Sequence, residues 1–384
     1  METNKLIMKL EFEKSNGNGS TTYLTHNFHT YPAKFIPQIP RSTILQLTKE
    51  GDTILDPFCG CGTTLVEAKL LNRNAIGVDL NPIAVLVSKA KTNKLIKEDI
   101  NLISSLLNEI KKDISNYYNN KNVRINYEIP EFNNRDHWFQ KNVLHELGII
   151  KAYILKIEKP ELRDFLFTAM SSIIVTVSNQ ESDTRFAAIN KQIKPFRTFF
   201  EFKKKLDDMN VRILQFSEKA HDTDIKVFEG DTRNMFFLKD NSVDHIVTSP
   251  PYANTYDYYL YHKFRMYWLD YNVKKVQDNE IGSRNRHSSK KEDIDTFEKE
   301  LYLCLKEMSR VLKTNKYAVM VIGDSVIRGK LISANKLIKK LVLKTNFEFI
   351  REISYNLKQN SRMFNPKFTN GDKLEHIIFL RNVK

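Results

Sequence analysis

Two short stretches of the 384-residue chain concentrate the residue types that chemistry needs. One is Thr248-Ser249-Pro250-Pro251-Tyr252, directly after the strand-like run Val243-Asp244-His245-Ile246-Val247. Its prolines fix φ and leave the Pro250 carbonyl few conformations, while Tyr252 supplies an aromatic face. That set suits an exocyclic amine on a planar base. The Ser249 side chain and the Pro250 carbonyl can accept its two hydrogens, and Tyr252 can stack on the ring. Such amines are poor nucleophiles because the lone pair is delocalised into the ring. Hydrogen bonds that favour tetrahedral nitrogen localise the pair and aim it at a methyl donor. A plain strand-to-loop turn is the other reading of Pro-Pro in isolation.

The other stretch is Asp56-Pro57-Phe58-Cys59-Gly60-Cys61-Gly62-Thr63-Thr64. Glycines here let the backbone approach a ligand with no Cβ in the way. No lysine follows Gly62, which excludes a phosphate-binding P-loop. Asp79 ends the next apolar run, Ala75-Ile76-Gly77-Val78-Asp79, where an acid can accept both ribose hydroxyls of an adenosine ligand. Other chemistries fit less well. Cys59, Cys61 and Cys304 follow Phe58, Gly60 and Leu303 rather than proline, against a cysteine nucleophile for methylating a ring carbon. Cys59-x-Cys61 has no second pair, against zinc. His26 and His29 have no acid at ligand spacing and read as loop residues, so no metal is expected.

These motifs need a scaffold. Thr53-Ile54-Leu55-Asp56, the glycine loop, a helix over Thr64 to Asn72 and the run ending at Asp79 make a βαβ unit of the dinucleotide-binding kind. A short helix is expected at Ser42 to Lys49, and residues 15–22 read as a polar, mobile arm. Helix-like apolar spacing follows over 96–118, 143–157, 161–177 and 199–217, with no clear strand among them. Strand patterns resume at Ile225 to Phe228 and Val243 to Val247, then at Tyr317–Gly323, Phe347–Tyr355 and His376–Leu380. Phe297, Leu301, Leu305, Met308 and Leu312 share one helical face and read as sheet-covering core. Asp79 and Asp231 stand 152 residues apart, whereas a βαβ unit needs only about 30. The expectation is therefore one α/β domain, 1–94 and 223–384, split by a mainly helical insertion at 95–222.

Taken together, the glycine loop and Val247-Thr248-Ser249-Pro250-Pro251-Tyr252 resemble the S-adenosylmethionine-dependent DNA amino-methyltransferases, which act on cytosine N4 or adenine N6. His29-Thr30-Tyr31-Pro32-Ala33-Lys34-Phe35 looks like their N-terminal cofactor element, Ile76 to Pro82 their second-strand motif, and Glu229-Gly230-Asp231 their third. The likeness covers about 26–94 and 223–384. It implies a doubly wound, mainly parallel seven-stranded sheet and S-adenosyl-L-methionine as cofactor. It further implies that Phe58, Gly60 and Gly62, with Asp56 and Thr63 in the same loop, line the methionine part, and that Tyr31, Pro32 and Lys34 close over it. Asp79 would take the ribose hydroxyls and Asp231 the adenine amine, with Ser249, Pro250, Pro251 and Tyr252 as the catalytic motif. In the family, serine at the motif's first position is commoner among N4-cytosine enzymes, so Ser249 favours cytosine N4 over adenine N6. The tRNA guanine-N2 methyltransferases share both motifs but usually carry Asp before the prolines and an N-terminal RNA-binding module. A non-enzymatic regulator should show damaged motifs, and both are intact.

The chain has 60 Lys+Arg against 46 Asp+Glu, a net charge of +14, which fits a nucleic-acid partner. Codon bias toward Lys, Asn and Ile would give the same excess. The expected substrate is double-stranded DNA with its target base flipped out. Phosphate contacts are expected from Arg185, Lys191, Lys194, Arg197 and Lys203 to Lys205, and from Arg284, Arg286, Lys290 and Lys291. The insertion, with Asn179 to Arg185 in it, is the first candidate for reading base edges, and 271–292 the second. Tyr256, Tyr258, Tyr259 and Tyr261 are candidates for the base pocket. A cognate restriction endonuclease is a partner class the resemblance carries. With 41% hydrophobic residues, three cysteines and no long apolar run, the chain reads as a globular protein of a reducing bacterial or archaeal cytoplasm, with no membrane partner.

Overall fold

The computed structural model describes residues 21–32, 34, 36–183, 185–288, 292–356 and 373–384. A seven-stranded sheet organises it: β1 (Thr53–Asp56), β2 (Asn74–Asp79), β3 (Ile225–Glu229), β4 (Val243–Thr248), β5 (Leu312–Gly323), β6 (Phe347–Asn356) and β7 (Leu374–Asn382). Their spatial order is β6-β7-β5-β4-β1-β2-β3. The β3-β2, β2-β1, β1-β4 and β4-β5 pairs are parallel, and β7 runs antiparallel to both β5 and β6. The order reverses between β1 and β4. In a doubly wound sheet that switch leaves a crevice beyond the carboxyl ends of the strands, where ligands bind.

Strands flanked on both sides and covered by helices must be apolar along their length. Ile54 and Leu55 of β1 are accordingly fully buried, and every residue of β4 is buried. Asp244 of β4 is tolerated because it accepts the Thr53 N–H (3.1 Å) and pairs with Lys313 (2.8 Å). On one side of the sheet lie α1 (Gln38–Leu47), α2 (Thr63–Leu70) and α3 (Pro82–Thr92). The first of these starts four residues earlier than its apolar pattern suggests. Pro37 sits at its N-cap and Pro40 in its first turn, where a missing N–H costs nothing.

Between α3 and β3 come four long helices, α4 (Lys97–Tyr118), α5 (Lys141–Leu155), α6 (Pro160–Val177) and α7 (Arg197–Lys219). Ile103, Leu107, Ile110 and Ile114 of α4 meet Val143, Leu147 and Ile150 of α5, and Phe202, Leu206 and Met209 of α7, in one core. That core runs on into Phe28 and into Phe264 and Trp268 of α8 (Tyr258–Trp268), so the segment is packed against the rest of the molecule. Residues Gln180–Ser182 and Arg185–Ala188 form an antiparallel hairpin where the sequence suggests no strand. Phe186 packs against Trp138 and Phe264, and the buried Arg265 of α8 pairs with Asp183 and donates to the Ser171 carbonyl at 3.0 Å. These tertiary anchors hold the hairpin.

After α8 come α9 (Val273–Asn279), α10 (Ile294–Val311) and α11 (Ala334–Val342). Phe297, Leu301, Leu305 and Met308 do form the buried face of α10, while Leu312 already belongs to β5. Among the described residues no helix is long and apolar enough to cross a membrane. The 15–20 part of the expected N-terminal arm lies outside the described residues.

Candidate active site

Asp56 and Asp79, ending β1 and β2, and Ser249, just past β4, meet at the switch point, where a cavity opens. Its wall includes Tyr31, Pro32, Lys34, Phe58, Gly60, Thr63, Asp79, Asp231, Ser249 and Pro251, so most of the residues singled out from sequence converge on one space. Asp79 holds the loop and faces the cavity. Its Oδ2 accepts the Gly60 N–H (2.8 Å) and its Oδ1 the Asn81 N–H (2.8 Å). Each oxygen keeps a lone pair for a ligand hydroxyl. Burial pushes the carboxyl up to about 6, against the pull of those two hydrogen bonds. Asn81 then caps α3, accepting the Ile83 N–H at 3.0 Å, with Pro82 at the first helical position.

Four expected site residues lie outside that wall. Asp56 is 1% exposed and lies outside the cavity wall. It accepts the hydroxyls of Thr64 (2.6 Å) and Thr248 (2.7 Å) and the Phe58 N–H (3.2 Å), so it clamps the glycine loop to β4. Gly62 is a hinge rather than a wall. Its φ is +77°, and a Cβ there would fall 2.8 Å from Ser88 Oγ, so only glycine lets α2 start against α3. Pro250 and Tyr252 also stay outside the wall. The Tyr252 ring lies on the Gly323 backbone, where a Cβ would come within 2.7 Å of Cε2. Its phenol donates to Glu375 Oε1 at 2.7 Å, and Tyr355 donates to the other oxygen of that carboxylate. Burial beside Glu375 raises the Tyr252 phenol well above its ordinary range.

Asp231 does reach the cavity, but Arg233 grips both its oxygens (2.9 and 2.6 Å) and then pairs with Glu300 (2.6 Å). A ligand amine there would share Asp231 with the guanidinium. Tyr31 is stacked on His262 (4.8 Å between centroids) and Tyr258 (6.1 Å), which fixes it over the loop. His26, in a short 3-10 turn, and His29, in the bend that follows it, are both buried and partnered. The acid that sequence spacing did not offer is Glu67, 2.8 Å from His26 Nε2, and His29 Nε2 meets Ser171 Oγ at 3.0 Å. Among the described residues no cluster of His, Cys, Asp or Glu could hold a metal.

The motifs gave no sign of the far wall. Val276, Asn279, Glu280 and Ile281 close the cavity from α9 and the segment after it. Glu280 accepts the Tyr258 N–H at 2.6 Å, capping α8, and burial pushes it up to about 8. No local signal marks these residues, because the 252–258 and 280–285 segments come together only through tertiary hydrogen bonds. Asn254 donates to the Gly282 carbonyl (2.9 Å), and Ser283 and Asn285 donate to Asp257 (2.7 and 2.8 Å).

The basic residues divide. Lys194 and Arg284 are exposed, as are Arg185 and Arg197, each with an i,i+4 partner, Glu181 and Glu201. Lys191 is committed to the protein, donating to the Val175 carbonyl in the last turn of α6 (2.9 Å) and to the Gln180 carbonyl in the hairpin (2.5 Å). Arg286 is held by Glu292 (2.9 Å) and Glu300 (2.9 Å), and Lys205 donates to the Asn27 carbonyl (3.0 Å). These three are structural cations rather than free phosphate contacts. Lys203 pairs with Asp207 (2.6 Å), and Lys204 is exposed. Lys290 and Lys291 lie outside the described residues, as do Ala33 and Phe35.

A doubly wound sheet of this order, with a glycine loop and a strand-end acid at its switch point, defines an S-adenosylmethionine-dependent methyltransferase. A family model described as DNA methylase matches residues 5–90 and 243–382, and the chain belongs to that family of DNA amino-methyltransferases. It is 25% identical to the Type II methyltransferase M.MvaI of Kocuria varians over 88% of this chain and 86% of the relative. It is 24% identical to M.MjaII of Methanocaldococcus jannaschii over 95% and 82%. A SAM-dependent methyltransferase of Methanosarcina mazei aligns in structure over 92% of this chain and 99% of that one, with 12% identity and a TM-score of 0.35.

Proposed function

We propose that the protein is a site-specific methyltransferase for the exocyclic N4 amine of cytosine in double-stranded DNA. The observation that carries this reading is that one cavity wall holds both Asp79 with Gly60 and Ser249 with Pro251. An amine acceptor and a nucleoside-binding acid thus face one space. Serine at the first motif position favours cytosine N4.

S-adenosylmethionine supplies an electrophilic methyl group on its sulfonium. Phe58, Gly60 and Thr63, with Tyr31, Pro32 and Lys34 opposite, would hold its methionine part, and Asp79 its ribose. Asp231, with Arg233 bound to it, would take the adenine amine. The target amine would donate to Ser249 and to the Pro250 carbonyl, which localises the nitrogen lone pair toward the methyl group. Once nitrogen is bonded to carbon, its proton is acidic enough to leave to water. Tyr252 is the stacking face for the flipped base, with Glu375 and Gly323 fixing its ring. Flipping costs a few kcal/mol, and stacking returns about 1–3 kcal/mol of it. The helical segment 95–222 and its hairpin are the proposed reader of sequence, with Arg185, Lys194, Arg197 and Arg284 on phosphates. A restriction endonuclease of the same specificity is the proposed partner.

Methylation-sensitive long-read sequencing of DNA from cells expressing the protein tests this. N4-methylcytosine at one recurring motif is expected. N6-methyladenine at a recurring motif overturns the choice of base, and no modified motif overturns the proposal.

A further inference from the structure

Lys91, near the end of α3, is fully buried, and its Nζ has no hydrogen-bond partner among the described residues. An unpaired ammonium in a protein interior is among the costliest groups to bury, so one that persists there is waiting for an anion or belongs to a functional field. Of the groups that act on its charge, the Cys61 thiol supports it and no carboxylate does. The Cys61 thiol lies beside it, and the Lys34 ammonium is close enough to push its pKa further below the ordinary lysine range than burial alone does. Lys205 feels both Lys91 and Lys34 and is itself pushed down to about 8, chiefly by burial. His26 feels the same two lysines.

The carboxylates nearby are already spent. Glu67 accepts from His26, Tyr23 and Arg41. Asp208 holds Arg212 at 2.8 Å and is 4.0 Å from Lys205. Two residues of this group, Lys34 and Cys61, stand in the cavity wall beside Thr63. There α2 begins and brings the positive end of its dipole to the same place. One end of the cavity is therefore basic, with Lys34 in its wall and Lys91 behind Cys61, whereas Asp79 and Asp231 stand on its other walls. A zwitterionic ligand fits that polarity in one direction only.

We propose that Lys91, acting from behind Cys61 together with Lys34 and Lys205, supplies the countercharge for the carboxylate of the cofactor's methionine part and so sets which way the cofactor lies. The proposal rests on S-adenosylmethionine as the cofactor. Lys91 lies outside every motif, and it acts on binding and orientation rather than on the reacting atoms.

The test is calorimetric titration of the full chain with two ligands. S-adenosylhomocysteine carries the carboxylate. 5′-Methylthioadenosine keeps the adenine, ribose and thioether but lacks the amino-acid end. Lys91→Met, which replaces a buried charge by a side chain of similar shape, should weaken S-adenosylhomocysteine about 10- to 100-fold, the scale of a buried charge acting across several ångströms. It should leave methylthioadenosine within about twofold. On the wild-type protein, the carboxamide of S-adenosylhomocysteine should bind weaker by the same factor, a measurement that needs no variant to fold. Equal weakening of both ligands by Lys91→Met, or no change in either, overturns the proposal, as does undiminished binding of the carboxamide. Wild type that binds none of the three ligands would instead sink the cofactor assignment on which it rests.

Discussion

Asp56 and Asp79 close adjacent parallel strands, Asp56 buried and Asp79 half-buried at the cavity, and burial pushes both carboxyls up to about 6. Their chemistry is nevertheless opposite. Three internal donors saturate Asp56, and those bonds tie the glycine loop to the strand that carries Ser249. Asp79 takes two backbone N–H groups and faces the cavity with its remaining lone pairs. An elevated carboxyl pKa at a strand end thus marks a desolvated position. Whether the acid meets a ligand depends on how many internal donors have already claimed it.

The contrast breaks first at the cofactor. Asp79→Ala should weaken S-adenosylmethionine about 100-fold, the loss of two charge-assisted hydrogen bonds, an effect larger than its cost to folding. If titration shows wild-type affinity, Asp79 is not the ribose acceptor. Asp56→Ala should do the reverse. Stranding the Thr64 and Thr248 hydroxyls should cost about 2 kcal/mol in denaturant unfolding, with cofactor affinity falling only as far as the loop loosens.

Acidity sharpens the comparison. The ribose hydroxyls need the Asp79 carboxylate, so affinity should fall up to about tenfold for each pH unit below its value of about 6. Asp79→Asn should bind weakly and lose that slope, and an identical slope in the variant would place the titration elsewhere. Folding responds in the opposite sense. An acid whose folded pKa lies above its unfolded value of about 3.9 favours the native state below pH 4, and that contribution is lost as pH rises through about 6. The melting temperature of the ligand-free protein, referenced to Asp79→Asn, should therefore decline between pH 4 and pH 6.5.

The smallest effects separate the two kinds of basic residue. Arg185→Ala and Arg284→Ala should each reduce the salt slope of DNA binding by about one and affinity a few-fold. Arg286→Ala should leave that slope alone and lower stability instead, because its partners are Glu292 and Glu300. A changed slope for Arg286 would undo that division.

What the sequence disclosed follows from how local each signal is. The parallel strands were legible because a strand buried on both faces must be an apolar run, as Ile54-Leu55 and Ile246-Val247 are. The glycine loop and the Ser-Pro-Pro-Tyr segment were legible because their chemistry lies in consecutive residues. The Gln180–Ser182 and Arg185–Ala188 strands were not, since Arg265 and Phe264, some eighty residues later, hold them. The same holds for Lys91 and Glu280, whose roles come from what packs around them. Sequence could not tell Asp56 from Asp79 either, because both read as an acid ending an apolar run, and only the hydroxyls of Thr64 and Thr248 distinguish them.

The most direct test of the central claim uses purified protein, duplex DNA and S-adenosylmethionine with a deuterated methyl group, followed by digestion to nucleosides and mass spectrometry. The label is expected in N4-methyldeoxycytidine, and it should vanish with Ser249→Ala while cofactor binding persists. Label confined to N6-methyldeoxyadenosine, or N4 labelling that survives Ser249→Ala at full rate, would contradict the account.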